Sequence, residues 1–358
     1  MTDTGVTVGA IRLKSPLICG AGEHLMYAEG IRQALAAGAA AVVPKSANET
    51  EAGKRQLDST DYALLDSEWR RLPWDFSPPT DASLLCRSGL AQQPFDEWLG
   101  MLAMLDQEAA RQDAYVVASL ILADLDRCAA MARAIEQAGL RILELNIGAP
   151  HGGEATPGAI VLERDADRVR HIVGCVRAAV RLPLWVKLTG QSENVAGLAQ
   201  AAKDAGADAV TVMGRFMAFL PDVETLAPTL GTNAAIGGPW ALPLTCRWLV
   251  QCRCDLGPDF PLIGTNGART GLDLARFLLA GASAVQASSA IFTGGFPVIN
   301  EMLQEFSAYL DRKGLSAAEL IGQAADRVGT YQQQESRPGY WTWFVGPEAL
   351  PQAIPGRP

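Results

Sequence analysis

The sequence contains no cluster of basic residues. Its 358 residues include 30 Lys and Arg against 39 Asp and Glu, which gives a formal net charge of −9 with histidine counted as neutral. Nucleic acids and anionic membrane surfaces bind through concentrated positive charge. The composition therefore argues against both as partners, and it also disfavours an extended polyanionic substrate.

Long hydrophobic runs are also missing. No run approaches the roughly 18 apolar residues of a membrane span, and the polar residues 1–9 lack the apolar core of a signal peptide. The seven cysteines are odd in number and scattered through apolar segments, which favours reduced thiols over a disulfide framework. These features predict a cytoplasmic protein.

Metal ligands are scarce as well. There are three histidines, and Cys252 and Cys254 form the one close pair of cysteines. Two ligands at that spacing cannot hold a structural zinc or an iron–sulfur cluster alone. We expect a helix or loop end there and no metal site.

What the chain does contain is a repeated alternation of short apolar runs and longer amphipathic, Ala-rich segments. The predicted strands cover residues 16–19, 40–44, 115–120, 142–147, 183–188, 209–213, 261–264 and 284–288. The predicted helices include residues 30–37, 126–138, 166–180, 195–205, 272–279 and 298–310. Eight strands with intervening helices are typical of an α/β (β/α)8 TIM barrel, and a doubly wound sheet is the alternative. We predict a single domain, with the barrel over residues 9–312 and an extension over 313–358.

Two regions break this rhythm. Residues 49–113, after the second strand, read as a loop-rich insertion that would lie over the C-terminal mouth of the barrel as a lid. Residues 216–240, rich in Pro and Gly, are predicted to close the opposite side. The aromatic tail at residues 340–344 is predicted to cap the barrel or to form an oligomer contact.

Polar side chains stand at the ends of several predicted strands. Lys45 and Ser46 follow the second strand, the fourth ends at Asn146, and Lys187 lies within the otherwise apolar fifth. An unpaired charge inside such a strand would be costly, so Lys187 needs a partner. Because barrel active sites form at the C-terminal ends of the strands, these groups are predicted to meet.

Turns rich in small residues follow the first, seventh and eighth strands. Gly20 and Gly22 would let a flat ligand approach the backbone closely. The segments 264–267 and 286–289 are typical of a barrel phosphate cradle, in which backbone N–H groups and a helix N-terminus bind the anion. With the two lysines, they predict a phosphorylated, electron-accepting cofactor.

Taken in order, these motifs resemble the FMN-binding barrel of the dihydroorotate dehydrogenases. They are most similar to the flavin domain of dihydropyrimidine dehydrogenase, over about residues 9–310. The resemblance implies bound FMN, with its phosphate held near residues 266–267 and 288–289 and Lys187 at the pyrimidine edge of the ring. It assigns to the cofactor Gly20, Ala21, Gly22, Lys45, Ser46, Asn146, Lys187, Gly238, Asn266, Gly267, Ser288 and Ser289.

The chain departs from this family where a proton would be exchanged with the substrate. In the family, a Cys or Ser takes that proton, and here the position is Ala149, preceded by Gly148 where the family has serine. Three amide positions that would grip the substrate are matched by Cys86, His151 and Gly214. These changes predict a substrate other than dihydroorotate.

Several residues are candidates to replace the missing groups. His151, Cys86 and Ser88 are candidate acids or bases, with His24 a further one. His151 either transfers a proton or binds substrate and orients its loop. Arg215 either binds an anion through its fork of donors or turns to solvent or to Asp222. We predict catalytic roles for His151, Lys187 and Cys86, and substrate binding by Asn146, His151, Ser88 and Arg215.

The sequence thus predicts an FMN-dependent oxidoreductase acting on a small cyclic or anionic substrate. One alternative is a dihydropyrimidine-type reductase that takes its proton from His151 or water. Another is a redox-inactive flavin barrel serving as a binding or assembly subunit. Because no second flavin domain or cluster motif is present, the electron partner is expected to be a separate protein, a diffusible carrier or the substrate itself. A homodimer is expected.

Overall fold

The computed structural model describes residues 2–121, 123–149 and 163–349. His151 lies outside these residues. The strands are β1 (Val6–Val8), β2 (Ile11–Leu13), β3 (Leu17–Cys19), β4 (Ala41–Val42), β5 (Asp61–Leu65), β6 (Ser83–Arg87), β7 (Tyr115–Val116), β8 (Ala118–Leu120), β9 (Leu143–Asn146), β10 (Leu184–Lys187), β11 (Ala209–Val212), β12 (Phe216–Ala218), β13 (Pro221–Asp222), β14 (Ala227–Pro228), β15 (Ala234–Gly237), β16 (Leu262–Thr265) and β17 (Ala284–Ala287). The helices are α1 (Ala28–Ala36), α2 (Glu51–Arg55), α3 (Phe95–Ala110), α4 (Leu125–Gln137), α5 (Ala166–Ala179), α6 (Val195–Asp204), α7 (Leu242–Leu256), α8 (Gly271–Leu279), α9 (Ser289–Gly294), α10 (Pro297–Lys313) and α11 (Ala317–Leu320).

A parallel sheet forms the centre of the fold, in the order β7-β4-β3-β17-β16-β11-β10-β9-β8. Its two ends, β7 and β8, are the halves of one predicted strand interrupted at Val117, so the order returns to the same stretch of chain as a closed barrel requires. The barrel and all eight predicted strands are confirmed. The strands β10, β11, β16 and β17 are buried along their whole length, which explains their continuous apolar sequence.

The insertion at residues 49–113 is confirmed as an interruption after the second strand, but it holds more regular structure than its sequence suggested. It contains α2, the antiparallel pair β5–β6 and the 16-residue helix α3. Trp98, Leu102 and Leu105 are buried on one face of α3, with a helical spacing that the sequence analysis missed. The indole of Trp98 donates to the carbonyl of Lys45 at 3.2 Å, so this helix also supports a predicted site residue.

The prediction that residues 216–240 close the opposite side of the barrel is wrong. Their strands β12 and β15 join the insertion in one antiparallel sheet of order β12-β15-β6-β5. Ala235 pairs with Cys86 and Phe216 pairs with Ile236. Pairing with β15 satisfies the backbone groups that β6 would otherwise leave exposed at a sheet edge.

From residue 326 onwards, the described residues form a compact unit of their own. Within it, Tyr331–Gln333, Tyr340–Phe344 and Pro347–Ala349 are short 3-10 helices, and the rings of Tyr340 and Phe344 meet edge to face at 5.3 Å. The roles predicted for the aromatic tail and the single-domain organisation stay predictions. No helix in the described part of the chain is long and apolar enough to cross a membrane.

Candidate active site

A cavity of about 1190 Å³, counting its open mouth, lies at the C-terminal ends of the barrel strands. Most residues predicted for the site line it: Gly20, Ala21, Gly22, Lys45, Ser46, Ser88, Asn146, Lys187, Arg215, Asn266, Gly267, Ser288 and Ser289. Among the further lining residues are Glu23, Gln56, Tyr62 and Phe292, which sequence reasoning missed. Cys86 and Gly238 do not line the cavity.

Lys187 has the partner that its sequence position required. Its Nζ lies 3.1 Å from Oε1 of Glu144, a fully buried carboxylate on the neighbouring strand β9. The other oxygen of Glu144 accepts from the Gln286 amide and, at 3.4 Å, from the Thr211 hydroxyl. The buried charge is therefore paired and hydrogen-bonded on both oxygens.

A second ion pair lies across the cavity in the Lys45 cluster, which consists of Glu23, Lys45 and Ser88. Lys45 Nζ donates to Glu23 Oε1 and to Ser88 Oγ, both at 2.8 Å, and Ser88 Oγ donates to the same Glu23 oxygen at 2.9 Å. Burial alone would raise the pKa of Glu23, but the charge and hydrogen bond of Lys45 outweigh burial and lower that pKa to about 2. Glu23 is therefore an ionised counter-ion at neutral pH and a poor proton donor.

Arg215 lines the cavity instead of turning to Asp222. The Asp222 carboxylate accepts from the backbone N–H groups of Glu224 and Thr225 within its own turn. The guanidinium of Arg215 donates to the sulfur of Cys86. The pairing of Arg215 with Asp222, one of the alternatives, is not found among the described residues.

Cys86 is fully buried behind Arg215, in a small apolar cluster with Leu84 and Ala235. Burial raises the pKa of its thiol, although the charge of Arg215 opposes this effect. A neutral thiol that does not line the cavity is poorly placed to exchange protons with a ligand. This placement favours a supporting role behind Arg215 over the predicted catalytic one.

The position of the family's acid or base is apolar here. Ala149 packs with Leu90 and Ile121 in a hydrophobic cluster. At Gly148 a Cβ would lie 2.3 Å from the carbonyl carbon of Leu188 and 2.5 Å from its oxygen, both of which belong to the main chain. A serine at 148 would therefore need a shift of the backbone, and the methyl group at 149 cannot carry a proton.

The turns after β16 and β17 leave backbone exposed to the cavity. Asn266 has a left-handed φ of +69°, and Gly267 has a φ of +123° with main-chain atoms of Leu242 only 2.6 Å from where its Cβ would lie. The hydroxyl of Ser288 donates to the Ala21 carbonyl at 2.8 Å, which ties the turn after β17 to the turn after β3. Bare N–H groups in such turns suit a phosphate.

His24 lies in the short 3-10 helix Glu23–Leu25 that follows β3, and it does not line the cavity. It contacts the sulfur of Cys19 at 3.6 Å and packs against the rings of Phe292 and Phe296, while its Nδ1 finds no hydrogen-bond partner among the described residues. Burial lowers the pKa of His24 to about 4. It is therefore neutral at neutral pH and is a poor candidate for the missing base.

The buried His24 predicts a dependence of stability on pH. Between pH 6.5, its unperturbed pKa, and about 4, the unfolded chain binds a proton that the folded chain does not. The free energy of unfolding should therefore fall as the pH is lowered through this interval, by up to about 1.4 kcal/mol per pH unit from His24. Urea unfolding at several pH values should show a shallower fall for His24→Asn. The exposed helical His171 provides the control, with His171→Asn measured over the same pH range.

Comparisons with known proteins agree with this geometry. The family model described as dihydroorotate dehydrogenase matches residues 71–310. The catalytic subunit of dihydroorotate dehydrogenase B (NAD(+)) from Methanocella arvoryzae is 30% identical over 322 residues, which cover 88% of this chain and 96% of that protein. The subunit of the same name from Pyrococcus furiosus is 29% identical over 88% of this chain and 96% of its own length, and that from Thermoplasma acidophilum is 26% identical over 90% and 99%.

Proposed function

We propose, from the premise that this chain belongs to the dihydroorotate dehydrogenase family of FMN-binding barrels, that it oxidises or reduces a small anionic or cyclic molecule other than dihydroorotate. The membership itself makes the protein an oxidoreductase with FMN as its cofactor. The substrate and the altered chemistry are the proposal. They rest on the residues that this chain places in the cavity.

The cavity residues fit FMN. Gly20 and Gly267 line the cavity with their main chain, and Gln286 presents a buried Oε1 with no partner among the described residues, so it can accept from an N–H of a ligand. Asn266, Gly267, Ser288 and Ser289 would hold the phosphate. When bound, FMN supplies transfer of two electrons as a hydride. Lys187 would stabilise negative charge gathered at the ring edge, and Glu144 holds its ammonium in place.

The observation that carries the proposal is the apolar surrounding of Ala149. Oxidation of a saturated C–C bond by hydride transfer also removes a proton, which needs a base within hydrogen-bonding reach. Packed against Leu90 and Ile121, Ala149 supplies none. Gly214, at a matched amide position, offers no side chain to a cyclic diamide. We propose that His151 or the Ser88 hydroxyl exchanges the proton instead.

Restoring a thiol at this position tests the proposal. The variant Ala149→Cys should retain FMN but should not oxidise dihydroorotate or dihydropyrimidines, because the amide positions remain altered. Oxidation would be followed anaerobically as loss of the visible FMN absorbance, with Ala149→Ser as the matched control. Bleaching by either substrate in these variants would show that the loss of the base alone accounts for the departure from the family.

A separate electron partner is part of the proposal. The relatives are named as catalytic subunits of NAD(+)-linked enzymes, which supports a partner protein or a diffusible carrier over internal electron transfer. We also propose that the chain forms a homodimer. Size-exclusion chromatography with light scattering, on the chain alone and after mixing with a candidate electron-transfer subunit, would test both.

A further inference from the structure

We infer that Gln191 is a positioning residue whose carboxamide holds the antiparallel sheet β12-β15-β6-β5, the mouth sheet, against the barrel. The contact fixes the main chain that carries Arg215 and slows the exchange of FMN. The inference goes beyond the proposed function, because it depends on FMN binding and not on the identity of the substrate. Sequence analysis did not single out Gln191, and the described lining of the cavity does not include it.

The mouth sheet forms one wall of the cavity. Tyr62 on β5, Leu84 on β6 and Gly237 on β15 line the cavity. Arg215 also lines it, directly before β12 begins. Contacts between this wall and a bound FMN have to break before the FMN leaves. The attachment of the mouth sheet to the barrel therefore bears on how long FMN stays bound.

Gln191 covers the free edge of this sheet. Strand β12 is the outermost strand, paired with β15 on its inner side, and an outer edge leaves main-chain groups without partners. At that edge the N–H of Met217 donates to Oε1 of Gln191 at 2.9 Å. Because a main-chain N–H only donates, the oxygen of the carboxamide has to face it. Gln191 thus takes the place of a neighbouring strand.

The turn that carries Gln191 is itself firmly held. The N–H of Gln191 donates to the hydroxyl of Thr189 at 3.0 Å, and Thr189 is fully buried. A Cβ on Gly190 would lie 2.4 Å from the sulfur of Met213, so the turn also packs closely against the end of β11. The carboxamide is therefore presented from a well-packed base, the turn that follows β10.

Arg215 lies between two points that this turn fixes. Before it, the N–H of Gly214 donates to the carbonyl of Leu188 at 3.1 Å. After it, Met217 is bound by Gln191. The first contact joins two main-chain groups, whereas the second depends on one side chain. Removing that side chain should leave the segment attached to the turn on one side of Arg215 only.

Local opening of the mouth sheet can be measured at Cys86, which is fully buried on β6. A buried thiol is alkylated only when its surroundings open, so the rate follows the population of the open state. Timed treatment of the FMN-loaded protein with N-ethylmaleimide, followed by peptide mass spectrometry, would report each cysteine separately. Cys252, fully buried on α7, is the internal control for opening of the whole barrel.

The variant Gln191→Leu removes the acceptor and nearly keeps the size of the side chain. Loss of one such hydrogen bond should make Cys86 react about 10-fold faster, while Cys252 reacts at the wild-type rate. Exchange of bound FMN for an excess of isotopically labelled FMN should accelerate by a similar factor. Gln33→Leu, at an exposed glutamine of α1, should change neither rate.

Two further variants separate the hydrogen bond from packing of the side chain. Gln191→Glu keeps the length and an acceptor oxygen, so both rates should stay within about 3-fold of the wild type. Met217→Pro removes the donor instead, which the outer edge of a sheet tolerates, and it should raise both rates as Gln191→Leu does. Combining Met217→Pro with Gln191→Leu should bring no further rise, because both remove the same hydrogen bond.

Three results would overturn the inference: a wild-type rate of Cys86 alkylation or of FMN exchange in Gln191→Leu, an equal acceleration at Cys252 and Cys86, or rates in Gln191→Glu as fast as in Gln191→Leu. If Gln191→Leu does not fold, Met217→Pro decides by the same rates. No substrate is used, so failure of the proposed function would appear separately, as bleaching of the flavin by dihydroorotate.

Discussion

Lys187→Met should lower the free energy of unfolding by about 3–5 kcal/mol, because it leaves a buried carboxylate without its counter-ion. Glu144 is fully buried, and its remaining hydrogen bonds from Gln286 and Thr211 are from neutral groups. Urea unfolding of the FMN-free protein would measure the loss. The double variant Lys187→Met/Glu144→Gln should recover most of it, since no charge is then buried.

The same pair of variants separates stability from redox function. The double variant should still hold FMN at a lower midpoint potential than the wild type, because the cation expected at the ring edge is absent. Potentiometric titration of the bound flavin would measure this shift. If Lys187→Met is as stable as the wild type, Lys187 does not balance the charge of Glu144. If the midpoint potential of the double variant equals that of the wild type, Lys187 lies away from the flavin ring.

Gly148→Ser should destabilise the protein by about 3 kcal/mol or more, at or beyond the upper end of the range for overpacked sites. The new Cβ would lie 2.3 Å from a main-chain atom of Leu188, the residue that follows Lys187 at the end of β10, so FMN content should also fall. Ala149→Ser places a hydroxyl beside Leu90 and Ile121 and should cost about 1–2 kcal/mol. Chemical denaturation of the two variants side by side would test this order.

Equal stability of the two variants would contradict the account of Gly148, since it would mean that the loop yields to a side chain. The predicted difference has a functional consequence. A serine at position 148 cannot be introduced without moving the main chain, because main-chain atoms of Leu188 lie where its Cβ would be.

The barrel could be predicted from the sequence because its signal is local. Strands covered on both faces are continuous apolar runs, and polar groups at their ends stand out against them, as Lys187 does. The need for a partner to Lys187 followed from burial alone. That its partner was Glu144 required knowing that β9 and β10 are adjacent in parallel register.

The sheet over the mouth of the barrel could not be predicted in this way. Ala235 pairs with Cys86 across a long separation in sequence, and nothing local in either strand specifies the other. Tyr62 lies on β5 of that sheet, and Gln56 lies in the short 3-10 helix before β5. Their place in the cavity therefore could not be predicted either. The role of Glu23 could have been predicted, because residues that follow adjacent strands of a barrel meet at its mouth and the buried Lys45 needed a counter-ion.

The central claim is that this FMN-binding barrel does not oxidise dihydroorotate. Anaerobic mixing of the FMN-loaded wild-type protein with dihydroorotate, followed by visible absorbance, tests it most directly, with dithionite as the control for a reducible flavin. The account predicts that dithionite bleaches the flavin and that dihydroorotate leaves the spectrum of oxidised FMN unchanged. Rapid bleaching by dihydroorotate would contradict it.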